Sequence, residues 1–193
     1  MSYIQLKYEL PGIVGLLFNK PSTGKAISSL AQAILRGPSP LSVMERELIA
    51  SYVSSLNGCQ FCYLSHSAIV DELAGNKGYS NTVVDNPDGT LLSPKLKALL
   101  RIAGKVRKNG RDVLPEDIEN ARLWGATDEE IHDAVITAAA FCFFNRYVDG
   151  LNTRPMKQDS DYVKPAKSLI KHGYTFPNFI GKFFMKRMFR KFA

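Results

Sequence analysis

Apolar positions along the 193-residue chain recur at helical spacing rather than in strand alternation. Ile27, Leu30 and Ile34, with Ala31 and Leu35 beside them, form one stripe; Ser22 or Thr23 caps it, and Gly37-Pro38 breaks it after about Arg36. Ser42 followed three residues later by Glu45 is a capping box that opens a second helix through Leu56. Asn57-Gly58 stops that helix, and a third runs from near Cys59 to about Asn76. Residues 77–90 are rich in Gly, Asn, Asp and Pro and read as a loop. Ser93-Pro94 caps and opens a fourth helix, which ends near Asn109-Gly110. Pro115 starts a short fifth helix, stopped at Gly125, and Thr127 with Glu130 boxes a long apolar sixth from Asp128 to about Leu151. Val83 and Val84 flank an Asn-Pro-Asp-Gly turn, but their neighbours do not alternate as strands do. The pattern predicts an all-α bundle of about six helices and then a mixed tail.

Composition supports one globular unit: 45% of residues are hydrophobic and 22% charged, which excludes a largely disordered chain. No run approaches the roughly 18 to 20 apolar residues of a spanning helix. The first residues carry early charges and no apolar signal core, which argues against secretion. Three cysteines do not make a disulfide scaffold, so the expected location is the cytoplasm, with thiols kept for reactivity or packing.

The net charge of +7 divides unevenly. Residues 1–151 hold 15 basic and 16 acidic residues, whereas residues 152–193 hold 10 basic and 2 acidic. A helical domain over 1–151 and a basic extension over 152–193, packed on the domain or on a neighbouring subunit, are the expected parts. Within the extension, residues 181–192 put Phe184, Met185, Met188, Phe189 and Phe192 on one helical side and five basic residues on the other. Docking of that apolar face on protein is the leading reading. Peripheral contact with an acidic membrane is a weaker one, and no nucleic-acid motif accompanies the charge.

The chemistry concentrates between residues 45 and 66. Cys59 and Cys62, one turn apart at a helix start, are close enough for a reversible disulfide, and the helix N-terminus favours a thiolate. His66 follows four residues after Cys62 on the same face, where its ring can accept the thiol proton. The second and third helices join through a tight turn. Measured from that turn, Glu47 lies about 15 Å along one helix and His66 about 10 Å along the other, so a carboxylate can orient the imidazole. Glu45 is taken by its capping box, which leaves Glu47 as the candidate acid. A zinc site on Cys59, Cys62 and His66 lacks a fourth ligand from any second Cys/His cluster, so no metal is expected. Cys142, in the apolar run Ala138 to Phe144, reads as core packing, His132 as a surface residue, and His172 as part of the basic tail with no catalytic role. Asn145 and Arg146 close the long helix near this region.

Glu47, then eleven residues, then Cys59-x-x-Cys62-x-x-x-His66 resembles the signature of the alkylhydroperoxidase AhpD-like family, within the carboxymuconolactone decarboxylase-like superfamily. The surrounding Leu41-Ser42, Glu45-Arg46-Glu47-Leu48-Ile49-Ala50 and Asn57-Gly58-Cys59 resemble its peroxidase-related branch, and the likeness runs from about Pro11-Gly12 to Phe144-Asn145-Arg146. The resemblance implies an all-α fold, a homo-oligomer (trimer or hexamer) and thiol peroxidase chemistry without a cofactor. By that analogy Cys62 is oxidised to a sulfenic acid by a hydroperoxide, Cys59 resolves it as a Cys59–Cys62 disulfide, and His66 and Glu47 carry protons. A dithiol reductant, which in the family can be a lipoylated protein, restores the pair. The sequence departs from the best-known pattern at Phe61, where a second histidine precedes the second cysteine. The implied relay is therefore shorter, with water or the hydroxyl of Tyr63 or Ser65 substituting. A disulfide reductase, an acid/base enzyme using Glu47 and His66, and a non-enzymatic redox sensor or membrane-associated protein are the rival readings.

Overall fold

The computed structural model describes residues 2–90 and 92–176. These are helical without strands and form α1 (Gly12–Asn19), α2 (Pro21–Arg36), α3 (Val43–Leu56), α4 (Gln60–Ala74), α5 (Tyr79–Asp85), α6 (Pro94–Lys108), α7 (Pro115–Leu123), α8 (Asp128–Gly150) and α9 (Val163–His172). The amphipathic helix expected over 181–192 lies outside the described residues. Among the described residues no helix is long and apolar enough to cross a membrane.

The two capping boxes form as expected: Ser42 and Thr127 each accept from the backbone three residues on, and Glu45 and Glu130 reach back to the cap N–H groups. The count of about six helices is too low, and each missed helix has a physical reason. The loop expected over 77–90 contains α5. Its start is held from outside, because the Asp71 carboxylate accepts from the N–H groups of Gly78 (2.6 Å) and Ser80 (2.9 Å). Ser80 is then buried in a hydroxyl cluster with Ser51 and Ser67. Helix α1 is buried on most sides and so shows little amphipathic signal. Helix α9 lies in the stretch read as a mixed tail and packs on α4. Helix α2 starts at Pro21 in the first turn, ahead of the expected Ser22 or Thr23 cap.

Helix α3 is the centre of the molecule, packed against α4, α6 and α8. It buries Leu48, Ile49, Ala50 and Val53, and with them the polar Arg46, Glu47, Ser51 and Ser54. A second apolar cluster surrounds the cysteine pair, with Val14 and Phe18 of α1, Phe61 of α4, Val148 of α8, and Met156 and Tyr162.

Gly12 sets α1 against α4 within this cluster. Its φ of +54° belongs to the left-handed region, and an added Cβ would strike the Phe61 ring, the residue between the cysteines. Gly12→Ala is expected to cost about 2–4 kcal/mol through backbone strain plus overpacking. Urea unfolding checks this, and wild-type stability would show that α1 does not constrain Phe61.

Candidate active site

The turn between α3 and α4 is built by local rules. Gly58, at φ +74°, ends α3; its N–H donates to the Ser55 carbonyl (2.9 Å), and the Cys59 N–H donates to the Ser54 carbonyl (3.0 Å). This is the Schellman arrangement, and glycine is the residue that takes the left-handed position without a Cβ penalty. Cys59 is thereby the residue after the α3 stop and also the N-cap of α4. Cys62 falls in the first turn of α4, where backbone N–H groups lack intrahelical partners and the helix dipole favours an anion. Asn145 pins the turn from α8: its Nδ2 donates to Ser54 Oγ (3.0 Å), and its Oδ1 accepts from Asn57 Nδ2 (2.8 Å). Asn145 thus supports the site's backbone.

Both cysteines are buried free thiols, but their surroundings differ. A cavity of about 460 Å³ opens beside Cys62, Ser65 and His66, walled by apolar side chains of α1, α2, α8 and α9, whereas Cys59 stands behind it. The hydrogen bond between Cys59 and Cys62, and burial after it, push the Cys59 thiol above its ordinary value; the Cys62 backbone N–H pulls the other way.

Glu47 is fully buried at the far side of His66. Its Oε2 lies 2.5 Å from His66 Nδ1, a contact between α3 and α4. The other oxygen, Oε1, receives Arg36 Nη1 at 2.6 Å and the Tyr174 hydroxyl at 2.8 Å. Burial is the largest influence on this carboxyl and opposes its charge. The charge and hydrogen bond of His66, then Arg36 and Tyr174, outweigh it and hold the carboxyl below its ordinary value. Burial first, then the Glu47 charge, push the Tyr174 phenol well above its ordinary value, so it remains a donor. With Nδ1 committed to Glu47, Nε2 is the ring nitrogen left for chemistry in the cavity. Phe141 of α8 holds the ring edge-on at 4.6 Å between centroids.

Arg36 and Tyr174 are the residues that sequence reading missed. Arg36 is the last residue of α2 and reads as an ordinary basic helix end. It reaches inward to Glu47 and also donates to the Leu35 carbonyl (2.8 Å), while Arg46 of α3 donates through Nη1 to the carbonyls of Ile34 (3.0 Å) and Gly37 (2.8 Å). Tyr174 lies beyond α9 in the stretch read as basic tail. The Tyr63 hydroxyl, one expected substitute for the missing histidine, donates instead to Asn81 Oδ1 at 2.8 Å; Ser65 does line the cavity. His172 also lines it, at an exposed position. Cys142 is partly buried against the main core, apart from the cavity. Among the described residues no group of three or more His, Cys, Asp or Glu side chains is placed to hold a metal ion.

The fold is shared with solved structures described as peroxidase-related or as an alkylhydroperoxidase AhpD core. Residues 21–103, which carry Glu47, both cysteines and His66, match the carboxymuconolactone decarboxylase family. An uncharacterized peroxidase-related protein from Silicibacter sp. TM1040 is 26% identical, with a TM-score of 0.73 over 79% of this chain and 78% of that one. An alkylhydroperoxidase AhpD core protein from Ralstonia eutropha JMP134, also uncharacterized and peroxidase-related, is 27% identical, with a TM-score of 0.72 over 79% of each chain. A protein of unknown function from Agrobacterium tumefaciens shares the fold at 21% identity, with a TM-score of 0.66 over 76% of this chain and 99% of that one. No curated protein matches the chain in sequence.

Proposed function

We propose that the protein is a thiol peroxidase that reduces hydroperoxides through Cys62. The observation that carries this reading is the placement of Cys62 and His66 on one cavity, with Cys59 closed behind and Glu47 on the far nitrogen of His66. The peroxidase-related descriptions of the Silicibacter and Ralstonia proteins agree with it.

In this mechanism the Cys62 proton passes to His66 Nε2, and the thiolate attacks the terminal oxygen of the hydroperoxide. The S–O bond forms as the O–O bond breaks, and the alcohol leaves with the proton returned by His66. Glu47 holds the ring through Nδ1 and compensates the imidazolium. Cys59 then attacks the Cys62 sulfenic sulfur; the S–S bond forms, and the sulfenic oxygen leaves as water with the Cys59 proton. A dithiol donor reduces the disulfide by two successive exchanges and is itself oxidised to a disulfide. Phe61 takes no part in proton transfer. It packs against Tyr162, 5.9 Å between ring centroids, and forms part of the cavity wall.

Mass spectrometry after treatment with one equivalent of peroxide tests the assignment. The expected product joins Cys59 to Cys62 and leaves Cys142 reduced. A reduced pair after peroxide exposure, or oxidation at Cys142 in its place, overturns the reading.

A further inference from the structure

We propose that Tyr174 is a positioning residue for the Cys62 site, acting with Arg36 to hold Glu47 and through it His66, so that the stretch just after α9 completes the site. This rests on the reading of Cys62 and His66 as the reacting groups. The matched family segment ends at residue 103, so this hydroxyl comes from outside it.

The geometry divides the carboxylate between two duties. Oε2 serves His66, and Oε1 serves Arg36 and Tyr174. A carboxylate with only the imidazole as partner could rotate or take up a proton, because burial penalises its charge. Donors on Oε1 oppose both. The Tyr174 hydroxyl is also 3.4 Å from His66 Nδ1, so it bridges the pair it holds. Its ring lies nearly parallel to the imidazole, 20° between planes at 6.1 Å, and the Arg36 guanidinium sits 4.9 Å from its centroid.

Tyr174 is itself anchored. Its backbone N–H donates to Gln32 Oε1 at 2.6 Å. The preceding Gly173 takes φ +67°, and a Cβ there would strike the Gln32 amide, so this turn favours glycine on both counts. A side chain that only plugged the cavity would need neither the anchored backbone nor a hydroxyl aimed at Glu47.

The ionisable groups around Glu47 come from every neighbouring element. Arg36 is on α2, His66 on α4, Tyr174 follows α9, and Arg46 lies one residue back on α3. Removing the Tyr174 hydroxyl takes a donor from the anion and makes Glu47 a stronger base. The Glu47–His66 pair then binds its proton more tightly.

The test is the titration of His66 by NMR in Tyr174→Phe, which keeps the ring and removes the hydroxyl. The chain has three histidines, and His132, exposed on α8 and away from the cavity, serves as the internal reference. His66 is expected to protonate about one to two pH units higher, the size of one hydrogen bond to a charged group. The reference should not move. Gln32→Ala, which frees the Tyr174 backbone, should move His66 in the same direction by a smaller step. In a Glu47→Gln background the shift caused by Tyr174→Phe should be clearly smaller. Superimposable titrations of wild type and both variants, or an equal shift in the Glu47→Gln background, overturn the proposal. The titration needs no peroxide: if Cys62 proves inert to peroxide but His66 shifts, the peroxidase reading fails and the positioning role stands.

Discussion

Cys62→Ser is expected to lower peroxide turnover by about three orders of magnitude or more, the scale of losing a catalytic nucleophile. A hydroxyl oxygen in the first turn of α4 cannot take up the peroxide oxygen as the Cys62 sulfur does, so deprotonation by the same imidazole and carboxylate would lead to no oxidation. Cys59→Ser should behave differently. Its Cys62 still meets the cavity and is expected to react once, leaving a sulfenic acid that a dimedone-type trap captures, and turnover stops there. The order of the pair follows from their surroundings, because Cys62 lines the cavity and Cys59 is fully buried behind it. Stopped-flow peroxide consumption with a dithiol donor separates the two variants. Full turnover in Cys62→Ser, or trapping on Cys59 instead of Cys62, would sink the assignment.

Arg36→Met is expected to destabilise the fold by about 3–5 kcal/mol at neutral pH, the cost of removing one partner from a buried ion pair. Wild-type Glu47 is fully buried and yet held below its ordinary carboxyl value. The sign of the pH effect follows. A carboxyl depressed by folding contributes stability that is present above its unfolded value, about 4.3, and lost as pH falls through the folded one. Without Arg36, burial weighs more heavily and the folded carboxyl rises. The variant's deficit should then be largest near neutrality and shrink toward about pH 4, where Glu47 takes up a proton. Urea unfolding of both proteins at neutral and acid pH measures this directly. A deficit that stays flat across pH, or below about 1 kcal/mol, would mean that Arg36 does not hold the carboxylate.

Much of this site follows from local rules. Glycine at position 58 ends α3 in the Schellman manner, and the capping box at Ser42 and Glu45 sets the register of α3. With the register set and the turn tight, Glu47 and His66 come level across the hairpin, and the structure joins them. Helix starts at Ser93 and Thr127 were legible for the same reason, since a cap is a matter of a few adjacent residues. Helix α5 was not, because Asp71 and the buried serines that hold it belong to other helices.

The residues that hold Glu47 mark the limit of local reading. Nothing near Arg36 distinguishes it from a solvated helix end, and nothing near Tyr174 sets it apart from a basic tail. Each is defined by a carboxylate distant in the chain and by burial, which belongs to the whole packing rather than to a segment. The sequence by itself determined the helical hairpin, the cysteine pair at its turn and the facing of Glu47 and His66, because helix period and turn chemistry act over a few residues. Only the tertiary structure decided which cysteine meets the cavity and which cation and hydroxyl stabilise the buried carboxylate. Desolvation has to be offset by whatever donors the packed chain brings within hydrogen-bond distance.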